Sequence, residues 1–219
     1  MGAIGDESAL DVLRRHLEDP AAEVAETCEL AVERLEWLKR RRRKNGKGDE
    51  LLSENPYNSV DPAPPEADAA AWSADRLKAI LADESLPLFP RYRAMFELRN
   101  RGGSDAVAAL CAGLACPESA LFRHEIAFVL GQMQHPDSLQ ALEASLVRDD
   151  ENEMVRHECA EAIGSVATPE AFRVLSSHVQ SSIRVVRESC RVALDMADHE
   201  TGGELQYADT LAKIKATVA

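Results

Sequence analysis

The feature that most constrains the fold is an internal repeat of 31 to 33 residues. One position of this repeat, here called the ridge position, recurs after 32, 33 and 31 residues, at Tyr92, His124, His157 and Glu188. An earlier copy places Glu26 at the ridge position. Such a period, with apolar residues at helical spacing and short breaks, is typical of stacked HEAT-like hairpins. The sequence therefore predicts an all-α fold, an α-solenoid of HEAT-like helical hairpins.

Breaks in the helical pattern divide the chain. Pro136 and Pro169 stand where a new helix is expected to begin. A stretch rich in proline, glycine and basic residues interrupts the repeat and is typical of a linker. The prediction has four parts: the last hairpin of an N-terminal HEAT half at 1–40, a linker at 41–71, a C-terminal half of four hairpins at 72–200, and a tail at 201–219.

Composition narrows the class of partner and the location. A formal net charge of −13 argues against nucleic acid and anionic membranes and favours a basic ligand. The basic run Arg40–Lys44 is interpreted as a solvated helix end. No apolar run is long enough to span a membrane, and the first residues are not expected to act as a signal peptide. The five cysteines lack metal-ligand spacing and are predicted to be reduced core residues. These features predict a cytoplasmic protein.

Two His-Glu pairs stand in the same register of successive inner helices: His124-Glu125 and His157-Glu158. One residue turns a helix by about 100°, so each histidine points away from the apolar residue two positions earlier. Imidazole and carboxylate ligands without thiolate suit iron, zinc or manganese. The alternative is that both are surface histidines of a scaffold repeat.

The helical geometry also suggests how the ligands divide. His124 and Glu125 point about 100° apart and are not expected to share one ion. His124 and His157, on neighbouring helices, could share one, while Glu125 or Glu158 reaches another. The pattern predicts half of a two-metal cluster, with the other ligands expected from groups that this chain does not contain. The arginines before the ridge position are predicted to form structural ion pairs with glutamates at neighbouring inner-helix positions: Arg123, Arg156 and Arg187.

Several segments together resemble the deoxyhypusine hydroxylase family, and they extend over nearly the whole chain. The most specific are the linker heptapeptide Ser-Val-Asp-Pro-Ala-Pro-Pro and both His-Glu motifs. The matching segments lie at 25–28, 34–38, 59–65, 91–96, 121–125, 154–161 and 185–190.

The resemblance implies an iron-dependent monooxygenase with a di-iron (Fe²⁺) centre that activates dioxygen. Its implied substrate is the deoxyhypusine side chain of eukaryotic translation initiation factor 5A, and its product is hypusine. His124 and His157 resemble the pair that binds one iron, and Glu125 resembles the ligand to the other. Glu158 belongs to the same metal-binding motif and resembles the catalytic carboxylate that holds the substrate amine.

One departure from the family is the number of His-Glu motifs: the family carries four and this chain two. Residues 1–5 share the register of 163–167, so the chain is expected to open inside a repeat, as a short form with half of the iron ligands. Three alternatives remain. Two copies could pair across a two-fold axis, the chain could be a non-catalytic HEAT-repeat binding module, or it could resemble phycobilin lyases, which lack paired His-Glu motifs.

Overall fold

The computed structural model describes residues 2–45, 55–57 and 59–201, and within these ranges the chain is entirely helical, without strands. Short 3₁₀ turns precede several of the helices. The ten α-helices are α1 (Leu10–Arg15), α2 (Ala22–Asn45), α3 (Ala74–Ala82), α4 (Leu88–Arg101), α5 (Gly103–Gly113), α6 (Ala120–Met133), α7 (Leu139–Val147), α8 (Glu153–Val166), α9 (Pro169–His178) and α10 (Arg184–Thr201).

The predicted α-solenoid is confirmed. Helices α3 to α10 form four hairpins, each with an outer helix (α3, α5, α7, α9) and an inner helix (α4, α6, α8, α10), and consecutive inner helices pack side by side. The helices begin where the sequence supplies N-caps: the side chains of Ser73, Ser119, Asn152 and Thr168 accept hydrogen bonds from backbone N–H groups of the first turn.

Helices α1 and α2 form a further hairpin with its own small core around Leu13 and Leu35. Helix α2 reaches Asn45, five residues beyond the predicted end of this hairpin at residue 40. The basic run is therefore the last turn of a helix, where positive charge complements the helix dipole. Part of the predicted linker (46–54 and 58) and the predicted tail from 202 onward lie outside the described residues.

Glycines set the spacing between inner helices at one repeated position. A Cβ atom added to Gly164 would lie 2.6 Å from the carbonyl oxygen of Ala193, and one added to Gly131 would lie 3.0 Å from Cα of Ala162. At Gly2 the corresponding neighbour is Ala31, whose Cβ would be 3.0 Å away. These contacts place residues 2 and 164 in the same register, as the sequence comparison predicts.

The arginines before the ridge position fasten each inner helix to the outer helix of its own hairpin. They donate to carbonyl oxygens in the last turn of the outer helix or in the loop that follows it: Arg91 to Leu81, Arg123 to Cys116, Arg156 to Leu146 and Arg187 to Ser181. In the first and third hairpins the acceptor is a helix-end carbonyl that lacks an intrahelical partner.

One of the three arginines forms an ion pair, but its partner lies in the loop before an inner helix and not on the helix. Arg123 pairs with the buried carboxylate of Glu151, just before α8, at 2.6 Å. Arg156 and Arg187 donate to backbone carbonyls instead. The repeated arginine therefore binds mainly backbone carbonyls. Its guanidinium has several donors, and the end of a helix has several carbonyls without intrahelical partners. The five cysteines, all within the described residues, are free thiols, as predicted.

Candidate functional site

A cavity of about 500 Å³ lies where the N-terminal hairpin, the linker and two inner helices meet. Its surface is mostly apolar and also carries polar side chains, which is typical of small-molecule sites. The residues lining it include Leu30 and Arg34 of α2, Ser59, Val60, Asp61 and Pro62 of the linker, Tyr92 and Phe96 of α4, and Leu121, His124, Glu125 and Phe128 of α6.

Glu125 is the most perturbed acid in this cavity. Burial raises the pKa of its carboxyl from 4.5 to about 7, a positive charge on His124 would lower it, and the charge of Glu158 raises it further. Because a buried carboxylate is costly without a cationic partner, Glu125 is suited to bind a metal ion or an ammonium group.

His124 lies half-buried beside Glu125 and contacts the next repeat. Its Nε2 atom is 3.2 Å from Oε2 of Glu158, and this hydrogen bond raises the pKa of the imidazole. Its Nδ1 atom is buried and has no hydrogen-bond partner among the described residues. A buried ring nitrogen without a partner is rare in proteins and is available as a ligand atom.

His157 is more exposed and is bonded away from His124. Its Nδ1 atom lies 2.9 Å from Oγ of Ser189 on α10, and its Nε2 atom lies 3.2 Å from Oε1 of Glu161. The structure therefore brings three of the four predicted site residues together, namely His124, Glu125 and Glu158, and leaves His157 at the side of the next repeat.

The donor types present fit iron, but the described side chains do not form a closed ligand set. Within residues 2–45, 55–57 and 59–201, no three His, Cys, Asp or Glu side chains converge closely enough to hold a metal ion. The unpartnered Nδ1 of His124 and the buried carboxyl of Glu125 supply imidazole and carboxylate donors of the kind that iron accepts. The shared ion predicted for His124 and His157 stays a prediction.

Ser59, Asp61 and Tyr92 line the cavity, although the sequence patterns did not predict them as site residues. Tyr92 stands at a ridge position that has no His-Glu pair, yet it lines the cavity, and burial raises the pKa of its phenol well above its usual value. Ser59 and Asp61 were assigned to a linker. The linker heptapeptide at 59–65 contains both residues and resembles the family motif. Its sequence does not show that the segment lies at the cavity.

Within the described part of the chain, no helix is long and apolar enough to cross a membrane. Fold and cavity together define a HEAT-repeat protein with an imidazole–carboxylate site between its inner helices and its linker. The sequence profile of HEAT repeats matches residues 107–195.

Comparison with curated proteins identifies the family. The chain is 59% identical over 218 residues to deoxyhypusine hydroxylase of chicken (Gallus gallus), and 53% identical over 215 residues to the human enzyme (Homo sapiens). These matches cover 99% and 98% of this chain, and 69% and 68% of the relatives. The chain belongs to the deoxyhypusine hydroxylase family, as the sequence motifs predicted.

A solved structure supports the same conclusion. The structure of human deoxyhypusine hydroxylase in complex with glycerol superposes with a TM-score of 0.81 at 53% sequence identity. The match covers 90% of this chain and 65% of that one. The chain thus spans about two thirds of the length of the relatives that it matches.

Proposed function

We propose that this chain acts in the dioxygen-dependent hydroxylation of the deoxyhypusine side chain of eukaryotic translation initiation factor 5A to hypusine. The observation that carries the proposal is the cavity beside the first His-Glu pair, in a chain 59% identical to a deoxyhypusine hydroxylase. The chain has an acidic group at the cavity wall and apolar walls around it, which together suit an aliphatic side chain that carries an amine.

We assign the metal-binding role to His124, Glu125, His157 and Glu158, with His124 and His157 sharing one iron and Glu125 reaching the other. Iron held by imidazole and carboxylate ligands would supply the activation of dioxygen. Because the described residues show no closed set of three ligands, the proposed di-iron centre needs a rotation of His157 away from Glu161 and further donors from outside the described part of the chain.

The protein's own groups have three tasks in this proposal. The apolar side chains of Phe96, Leu121 and Phe128 pack against the aliphatic part of the substrate and exclude water. We assign the substrate ammonium to Glu158, whose carboxylate contacts Nε2 of the cavity residue His124. The buried carboxyl of Glu125 compensates positive charge at the bottom of the cavity.

Titration with ferrous iron under anaerobic conditions tests the metal assignment. We expect the purified chain to take up iron, and both His124→Ala and His157→Ala to weaken the uptake at least about tenfold, since each removes an imidazole ligand. His178→Ala is the matched control. His178 of α9 is half-buried and contacts Glu143 of α7, and neither of these outer helices lines the cavity. Unchanged uptake in His157→Ala would refute its assignment as a ligand.

Mass spectrometry of translation initiation factor 5A carrying deoxyhypusine tests the reaction. Incubation with iron, a reductant and dioxygen should add one oxygen atom to the modified side chain, and His124→Ala should abolish this gain. The second candidate function is a non-catalytic HEAT-repeat binding module, which the lack of three converging ligands in the described residues favours. Absence of iron uptake by the wild-type chain would select this second function.

A further inference from the structure

Part of the predicted linker is built into the protein rather than solvated. Asp61 and Ala63 are buried, at 4% and 0% exposure. Four arginines, one on α2 and three on α4, hold the segment that begins at residue 59: Arg34 donates to the carbonyl of Asp61, Arg93 to those of Pro64 and Pro65, Arg101 to that of Ala69, and Arg99 to side chains. A tether between two halves would need none of these contacts.

Arg99 joins the linker to two inner helices. It lies on α4 with no exposure to solvent, and its Nη1 and Nη2 atoms donate to the two carboxylate oxygens of Asp61 at 2.9 and 2.8 Å. Nη1 also donates to Ser59 Oγ at 3.2 Å and to Gln132 Oε1 of α6 at 2.9 Å. Gln132 lies seven residues after Glu125, two helical turns along the same face of α6.

The linker segment held by Arg99 is a wall of the cavity. Residues 59–62 line the same cavity as His124 and Glu125. Val60 and Phe128 are both large apolar residues that line this cavity and remain partly exposed, at 45% and 40%, which places them at its mouth. Val60 of the linker and Phe128 of α6 therefore stand at the edge of the cavity that contains Glu125.

We propose that segment 59–62 (the linker wall) is part of the substrate-binding site, and that Arg99 is the positioning residue that fixes it against α4 and α6. The identity of the ligand rests on the proposed function, whereas the positioning role does not. An arginine fork holds both carboxylate oxygens of Asp61 while reaching Ser59 and Gln132, which a lysine ammonium cannot do because it is a single point charge.

The test compares two lysine variants of the same helix. Arg99→Lys retains the charge but loses the fork at the linker wall. Arg101→Lys is the matched control, since Arg101 also holds the linker, at Ala69, outside the cavity. Hydrogen exchange of the amides of residues 59–62 should be at least about tenfold faster in Arg99→Lys and nearly unchanged in Arg101→Lys.

Binding of a fluorescent peptide that carries deoxyhypusine supplies the functional readout, at a temperature where all variants are folded. Arg99→Lys should weaken the affinity about tenfold and Arg101→Lys less than about twofold. Val60→Trp, which narrows the mouth directly without disturbing a buried pair, should also weaken it about tenfold. The control for Val60→Trp is Val147→Trp. Val147 is similarly exposed, at 41% against 45% for Val60, but lies on α7.

Each outcome decides the proposal. Equal loss of affinity in both lysine variants, or unchanged affinity in both Arg99→Lys and Val60→Trp, would overturn it. If the wild-type chain does not bind the peptide, the proposed function fails. The hydrogen-exchange comparison then tests the positioning role of Arg99 by itself. Equal exchange rates of the amides of residues 59–62 in Arg99→Lys and Arg101→Lys would overturn that role.

Discussion

At the scale of single residues, the repeat assigns a partner to each histidine of the ridge. The residue one position after the ridge contacts the histidine of the preceding repeat: Glu158 contacts Nε2 of His124, and Ser189 contacts Nδ1 of His157. A group bonded to one ring nitrogen decides the orientation of the ring and which nitrogen is left for a ligand. The following repeat therefore contacts the two histidines through different groups, a carboxylate at His124 and a hydroxyl at His157.

Glu125 leads to a prediction about pH. Burial raises its pKa from 4.5 to about 7, so between these values the folded chain holds a proton that the unfolded chain has released. Its contribution to stability is complete below pH 4.5 and is lost as the pH rises through about 7. For the metal-free protein, we expect this group to lower the free energy of unfolding by on the order of 2–3 kcal/mol between about pH 5 and pH 8.

Urea unfolding across this pH range measures the effect. Glu125→Gln stays neutral at every pH, so the wild-type free energy of unfolding should decline more steeply than that of the variant. Groups far from Glu125 titrate alike in both proteins, so the difference between the two curves reports Glu125 together with His124, whose pKa the charge of Glu125 raises. Parallel curves would show that the carboxyl of Glu125 is not buried as described.

At the scale of helices, two kinds of contact repeat along the stack and set its geometry. The arginines before the ridge position fasten inner helices to outer ones, and the glycines at positions 131 and 164 allow neighbouring inner helices to approach closely. Helix spacing is what brings His124 within 3.2 Å of Glu158 on the next inner helix. A change in that spacing therefore alters the distance between His124 and Glu158 as well as the stability of the protein.

Gly164 tests the close approach of α8 and α10. A Cβ atom there would lie 2.6 Å from the carbonyl oxygen of Ala193, so Gly164→Ala must push two backbones apart. We expect the free energy of unfolding to fall by about 1–3 kcal/mol, despite the better helix propensity of alanine. Thermal and urea unfolding provide the measurement.

Gly113→Ala is the control for this prediction. Its added Cβ would meet Cδ1 of Ile126 at 2.9 Å, the end of a flexible side chain that can move aside. This variant should lose much less stability than Gly164→Ala. Equal losses would mean that backbone contact between inner helices does not limit their spacing.

At the scale of the whole molecule, the N-terminal hairpin is tied to the stack across long stretches of sequence. Glu26 accepts a hydrogen bond from Ser119 Oγ at 2.7 Å, and Glu23 accepts one from Asn152 Nδ2 at 3.1 Å. Both carboxylates stand at the N-termini of inner helices, where negative charge is favourable. Arg34 binds the carbonyls of Gly2 and Asp61, which joins the hairpin to the linker.

The two tryptophans can report whether hairpin and stack unfold together. Trp37 lies on α2 and Trp72 lies just before α3. In the single-tryptophan variants Trp37→Phe and Trp72→Phe, we expect coincident fluorescence transitions in urea, because the contacts of α2 couple the two parts. Adding Arg34→Met should move the Trp37 transition to lower urea than the Trp72 transition.

The matched control is Arg14→Met, which removes an exposed ion pair between α1 and Glu36, at 50% and 39% side-chain exposure. An exposed pair contributes at most about 1 kcal/mol, so the transitions should stay coincident. Separate transitions in the parent protein would instead show that the hairpin is an independent unit.

The sequence by itself determined the helices, their division into inner and outer layers, and the register of His124 and His157. These follow from apolar spacing, caps and breakers within about 35 residues, where local physics decides. The motifs also determined the family, which the comparisons confirm. Part of the candidate site was thus predictable, namely His124 and Glu125 in the cavity wall.

Only the tertiary structure decided how the linker contributes to the cavity. The contact of Arg99 with Asp61 spans 38 residues and depends on where the chain returns after the basic helix end. Likewise, the helical register placed His157 on the ridge but left its rotamer open, and Ser189 and Glu161 decide it in the structure. Spacing along a helix fixes the direction of a side chain to within a turn, whereas its partner is chosen by packing between segments far apart in sequence.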